Sequence, residues 1–103
     1  MRKVLEHLTK LSVENLEHQN QFIIEYSNEK NEILSCFQSY KTLIAVYNRS
    51  THELMINNYY WDYSKTTMKH LKIFINEYTI YEYKNKLQFT LFLASKNEKI
   101  FLF

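Results

Sequence analysis

The chain is 103 residues long, 46% apolar and 17% aromatic, with 13 basic against 11 acidic residues and a formal net charge of +2. That is the length of one domain with one core, and the near balance of charge excludes both a protein that holds nucleic acid by bulk charge and a strongly acidic nucleic-acid mimic. The single cysteine, Cys36, excludes an internal disulfide, and the absence of any glycine excludes the Gly-rich loops that cradle nucleotide phosphates.

Helix formers dominate residues 2–30, and Val4, Leu5, Leu8 and Leu11 fall at the spacing of one helical face. Ser12 is placed to cap a second helical segment, in which Val13, Leu16, Ile23 and Ile24 continue the apolar stripe. At Ile33 the period changes. Residues 33–38, 42–47 and 53–59 are rich in β-branched and aromatic side chains and are joined by short polar connections, which predicts a three-strand antiparallel meander. Asp62 or Ser64 then opens an amphipathic helix over 65–78, with Met68, Leu71, Phe74, Ile75 and Tyr78 on one side. Residues 87–94 and 99–103 read as a second hairpin about Ser95-Lys96-Asn97-Glu98. The expected class is therefore α+β: an antiparallel sheet of meander plus C-terminal hairpin, packed with an N-terminal helical segment and one central helix. It forms a single domain over 1–103, with the helical segment over 1–31 and the sheet, helix and hairpin over 32–103.

Without glycine or proline, turns fall to other residues. Asn48, Asn57, Asn58, Asn85 and Asn97 stand at predicted turns or strand ends, and asparagine tolerates the left-handed region better than most residues with a side chain. Glu6, His7, Thr9 and Lys10 interrupt the segment after Arg2 and Lys3, so no export signal is read. The longest apolar runs, such as 43–46 and 91–94, fall far short of the roughly 20 residues of a spanning helix, and a reducing, cytoplasmic setting is expected.

Two segments carry a resemblance. Ser39-Tyr40-Lys41-Thr42-Leu43-Ile44-Ala45 follows a pattern SYxTxIA, and the stretch from Tyr63 through Ser64, Thr66, Thr67, Lys69, His70 and Leu71 to Phe74 follows YSxTTxKHLxxF. In both, in order, the chain resembles a family of short uncharacterised proteins from phages and mobile elements of low-GC Gram-positive bacteria. The resemblance covers about a third of the chain and implies a dispensable phage-borne protein, working in the cytoplasm of a bacterial host. Proteins of that kind often modulate host machinery, and inhibitors of host defence, anti-CRISPR proteins among them, are examples.

Ser64, Thr66 and Thr67 are suited to satisfying the free N–H groups of the helix start, and alternatively, with Lys65, to receiving a phosphate there. Lys65, Lys69 and Lys72 recur at helical spacing beside Tyr59, Tyr60, Trp61 and Tyr63. Lysines beside aromatics suit unpaired bases and their phosphates, while Trp61 equally suits a core anchor. His7, His18, His52 and His70 show no metal-ligand spacing, and Cys36 in an apolar strand reads as a buried thiol. No metal, cofactor or catalytic constellation is read, although His52, His70 and Arg49 with several tyrosines are the residues a metal-free ribonuclease would use.

The expected function is that of a non-enzymatic binding protein that inhibits or modulates a host nucleic-acid-handling defence complex. The alternative is a small RNA- or DNA-binding regulator. In either case Tyr59, Tyr60, Tyr63, Ser64, Lys65, Thr66, Lys69 and Lys72 meet the partner, a host protein or ribonucleoprotein, RNA or DNA. The apolar terminus 100–103 adds homo-oligomerisation as an expectation.

Overall fold

The computed structural model describes residues 8–95 and 97–103. Of the residues weighed above, Arg2, Lys3, Val4, Leu5, Glu6, His7 and Lys96 lie outside the described residues. The centre is a six-stranded sheet ordered β1 (Thr9–Leu16), β2 (His18–Ser27), β3 (Ile33–Ser39), β4 (Thr42–Asn48), β5 (Leu54–Ile56) and β6 (Ile100–Leu102). Helices α1 (Lys65–Tyr78) and α2 (Lys86–Ala94) lie between β5 and β6 in the chain. Neighbours are antiparallel from β1 to β5, and β6 joins β5 in parallel. A parallel neighbour requires a long crossover, which the two helices supply.

The class is α+β, but the expected architecture is overturned at both ends. The helical segment expected over 1–31 is, across its described residues, the hairpin of β1 and β2. Alternation decides this: Gln21 and Ile23 lie on the face toward the helices, while Phe22, Ile24 and Tyr26 lie on the other. The helix-forming Glu, Gln and Lys residues concealed that period of two, because propensity is weaker than the burial gained by pairing. The turn gave no signal either, since one residue, Glu17, makes it at φ 58°.

At the C-terminus the predicted hairpin is instead helix α2 followed by β6, so the sheet is mixed and there are two helices. Leu87, Phe89, Leu91 and Leu93 alternate as strand residues do, yet a segment of this length also fits a helix. The decision comes from the cap: Asn85 Oδ1 accepts the Gln88 N–H at 2.9 Å, and Gln88 Oε1 accepts the Lys84 N–H at 2.7 Å. The expected three-strand meander is overturned as well: β3, β4 and a β5 shorter than expected continue an antiparallel run that begins at β1, so five strands pair in sequence.

Helix α1 follows the predicted stripe. Leu71, Phe74 and Ile75 are fully buried against Ile23, Phe37, Ala45, Leu54 and Ile56 of the sheet, with Met68 and Tyr78 at the margin. Each such side chain contributes about 1.5–3 kcal/mol of burial. The opposite sheet face carries a second apolar cluster, with Ile24, Leu34, Cys36, Leu43 and Val46 buried among Phe22, Tyr26, Met55 and Phe103. Apolar residues on both faces make β4 a nearly continuous hydrophobic run.

The asparagines act differently from expectation. Positive φ falls on Glu17, Asn31, Tyr40 and His52, so none of the five expected asparagines adopts it. Asn48, Asn57 and Asn97 instead fold their side-chain oxygens onto N–H groups two residues ahead, and Asn85 caps α2 in the same manner. An Asx turn supplies the bend without the left-handed backbone.

Cys36 is wholly buried, and burial, assisted by the charge of Glu25, pushes its thiol from 9.0 up to about 12. The folded chain therefore keeps a proton that the unfolded chain releases, and stability is expected to fall as pH rises from about 9 to about 12. Tyr83, raised by burial from 10.0, adds to the same trend at higher pH. Denaturation midpoints measured across this window should show the decline in the native sequence and a shallower one in Cys36→Ala. An unchanged slope in the variant would contradict the assignment to Cys36.

Candidate binding site

Beyond β5 the chain turns on one buried residue. Asn57 Nδ2 donates to the Leu43 carbonyl at 2.9 Å, and its Oδ1 accepts the N–H groups of Tyr59 and Tyr60 at 3.1 and 3.2 Å. Held this way, the loop sends Tyr59 outward at 84% exposure and Tyr63 at 74%, with Tyr60 partly exposed between them. Trp61 turns inward and meets Phe89 edge-on at 4.9 Å, so it is the core anchor rather than a stacking platform. Ser64 caps α1 by accepting the Thr67 N–H at 3.0 Å.

Across from this loop stands the β3–β4 turn, where Tyr40 holds φ 55°. A bulky residue in that region costs about 1–3 kcal/mol and is a genuine outlier. Two bonds hold it there: its N–H donates to the Asn20 carbonyl at 2.7 Å, and its own carbonyl accepts Gln38 Nε2 at 2.8 Å. Its ring projects at 57% exposure.

Between turn and loop lies a pocket of about 240 Å³, lined by Ser39, Tyr40, Thr42, Ile44, Tyr60, Tyr63, Ser64 and Thr67. Its floor is a chain of hydroxyls. Ser64 Oγ donates to Thr67 Oγ1 at 3.0 Å, and Ser39 Oγ lies 3.3 Å from the same oxygen. Directly across the β2–β3 pair from Ser39 is Gln21, fully buried, with neither side-chain amide atom bonded among the described residues. A buried polar group in that state costs about 1–3 kcal/mol, which marks this end of the sheet as polar at the expense of stability.

On the other side of the loop and of the first turns of α1 runs a groove of about 270 Å³, lined by Lys65, Lys69, Lys72 and Lys86 around Trp61, Met68 and Tyr83. Lys86 Nζ sits 6.0 Å from the Trp61 ring and 3.8 Å from Asp62 Oδ2. Four ammonium groups on one groove make a local cationic surface that the net charge of +2 conceals.

The structure thus divides the predicted site residues. Tyr60, Tyr63 and Ser64 line the pocket, Lys65, Lys69 and Lys72 line the groove, Tyr59 stands exposed in the loop between them, and Thr66 lines neither hollow. Thr67, Ser39, Tyr40, Thr42 and Lys86 were missed as site residues. The signal for the first four was present in the SYxT and YSxTT segments, but a strand turn and a helix cap gave no reason to meet.

His52 and His70 lie elsewhere. His70 is buried, and its Nδ1 faces the Thr66 carbonyl at 2.8 Å, so that nitrogen carries the proton, as a carbonyl only accepts. His52 Nδ1 meets the Tyr47 hydroxyl at 2.7 Å, and Arg49 pairs with Glu25 at 2.9 Å. None of the three lines the pocket or the groove. Among the described residues, no group of three or more His, Cys, Asp or Glu is placed to hold a metal ion, and no helix is long and apolar enough to cross a membrane.

The model of a family of unknown function, DUF8033, matches residues 9–90. The chain belongs to the DUF8033 family. The DUF8033 match opens at the first residue of β1 and ends inside α2, so it takes in both hollows and the whole of α1, and leaves β6 outside. No curated protein and no solved structure matches the chain.

Proposed function

We propose that the protein is a binding module that engages the nucleic acid of a host nucleic-acid-handling complex through the end of the molecule where the tyrosines and lysines meet. The observation that carries this reading is the adjacency of a four-lysine groove to a loop with exposed Tyr59, Tyr60 and Tyr63. Cations that neutralise phosphates and aromatic faces that receive unpaired bases are the two requirements for holding a single strand. The resemblance to phage and mobile-element proteins supports a host complex, such as a defence ribonucleoprotein, as the place where that strand is met.

Fluorescence anisotropy with a labelled single-stranded oligonucleotide tests the reading. Each phosphate contact should add about −0.7 to the slope of log K against log salt, so three or four lysines give a slope of about −2 to −3. Alanine at Lys65, Lys69 and Lys72 together should remove about 2 from that slope, with the far-ultraviolet spectrum unchanged because Lys65 and Lys69 are exposed and Lys72 is half-buried. Salt-independent retention, or a slope that survives the triple substitution, would overturn it.

A further inference from the structure

The pocket between the β3–β4 turn and the start of α1 has a chemistry distinct from the lysine groove. It carries no charged side chain, and its lining combines three tyrosine rings with four serine and threonine hydroxyls. Rings offer stacking faces, and hydroxyls both donate and accept, so they can meet either kind of group on a base edge. Its volume of about 240 Å³ is on the scale of a single planar ring system rather than a polymer segment. The Tyr60 and Tyr63 rings are 5.7 Å apart and inclined at 53°, which leaves the mouth open instead of closed by their mutual stacking.

Its position matters as much as its lining. Ser64 and Thr67 of the pocket alternate along α1 with Lys65, Met68 and Lys69 of the groove, so the two hollows flank the same helical turns. A strand whose phosphates follow the lysines therefore runs beside the helical turns that carry Ser64 and Thr67. The strained backbone of Tyr40, held by bonds at both its N–H and its carbonyl, keeps a third ring at that mouth before any ligand arrives. Gln21, fully buried and with both amide atoms unbonded among the described residues, stands behind Ser39 and keeps further polar capacity beside the hydroxyl chain.

We infer that this pocket receives one unpaired nucleobase of a single strand, stacked on the exposed Tyr63 ring with its edge toward the Ser39, Thr42 and Thr67 hydroxyls. This rests on the nucleic-acid reading above, whose phosphate contacts lie in the separate groove.

The test compares labelled octamers of thymidine with octamers of abasic nucleotides that have the same phosphate count, each titrated against the full chain over a salt series. The thymidine octamer is expected to bind roughly 5- to 100-fold more tightly, the range one stacked base contributes, with both slopes alike because the phosphates are the same. Tyr63→Ala should bring the thymidine octamer to the abasic level, while Tyr63→Phe, which keeps the ring, should not. Thr42→Val, on a half-buried side chain, should alter the ranking among thymidine, cytidine and adenosine octamers without altering the slope. A uridine ribo-octamer shows whether the sugar hydroxyl adds to the same contact.

Equal binding of base-bearing and abasic octamers, with a normal salt slope, would overturn the base pocket and leave the groove standing. So would Tyr63→Ala binding with native preference, an outcome that fits an aromatic side chain of a protein partner as the occupant. Failure of both octamers to bind would remove the groove and the pocket together.

Discussion

Replacing Phe74 with alanine is expected to lower the free energy of unfolding by about 3–5 kcal/mol, the range for truncating a large aromatic in a closed core. Phe74 is fully buried, its ring stacks on Phe37 of β3 at 6.0 Å, and Tyr78 packs on it at 5.7 Å. With Leu71 and Ile75 it holds α1 against the sheet, so its truncation opens a void in the closed core. Against the roughly 5–15 kcal/mol total of an ordinary domain, this is a large fraction of the stability. Urea denaturation followed by tyrosine and tryptophan fluorescence measures it as a lower midpoint at unchanged slope. Tyr59→Ala, at an 84% exposed position, is the control and should move the midpoint little. A loss below about 1 kcal/mol for Phe74→Ala would show that α1 does not pack on β3 as described.

The second large effect belongs to Asn57, which touches no predicted ligand. Three hydrogen bonds meet on its buried amide, one to the Leu43 carbonyl and two from the Tyr59 and Tyr60 N–H groups. Asn57→Ala leaves all three partners searching for water, and a loss of about 2–4 kcal/mol is expected from buried groups so abandoned. The same change releases the loop that presents Tyr59, Tyr60 and Tyr63, so oligonucleotide affinity should fall although the lysines are untouched. Asn57→Asp separates the two roles. It keeps the acceptor for the tyrosine amides but turns a carboxylate toward the Leu43 carbonyl, which raises the folded pKa of that carboxyl group above its unfolded value. Stability of Asn57→Asp is then fullest below about pH 4, where the protonated oxygen can donate to Leu43, and is lost as pH rises through the raised folded value. Thermal unfolding of Asn57→Ala and Asn57→Asp between pH 3 and pH 7 checks this, since alanine has nothing to titrate. A parallel pH response of the two variants would contradict the donor role.

Both effects bear on why some of this fold was readable in sequence and some was not. Helix α1 was legible because Ser64 caps it and Leu71, Phe74 and Ile75 repeat at helical spacing, signals contained in about three turns of one segment. Strands β3 and β4 were legible because both of their faces are buried, and residues such as Val46 and Ile44 record that in composition. The β1–β2 hairpin was concealed because its turn is a lone Glu17 and its polar residues are good helix formers. Helix α2 was concealed because Leu87, Phe89, Leu91 and Leu93 alternate as in a strand, and the Asn85 and Gln88 cap that decides it consists of two hydrogen bonds.

The candidate site divides in the same way. The aromatic loop and the lysines of α1 are neighbours in sequence, and their meeting needs only the helical repeat. The pocket needs Ser39 and Thr67, 28 positions apart, to stand 3.3 Å from each other, and it needs Lys86 of a helix that was read as a strand to complete the groove beside it. By itself the sequence determined the local elements whose signals are contained within a few residues, together with the chemistry available: tyrosines, hydroxyls and lysines, with no glycine loop and no disulfide. Only the tertiary structure decided the sheet order, the parallel docking of β6 and the convergence of turn and helix start on one hollow. Those depend on contacts between distant segments, whose free energy comes from shared burial and leaves no periodic trace in either segment alone.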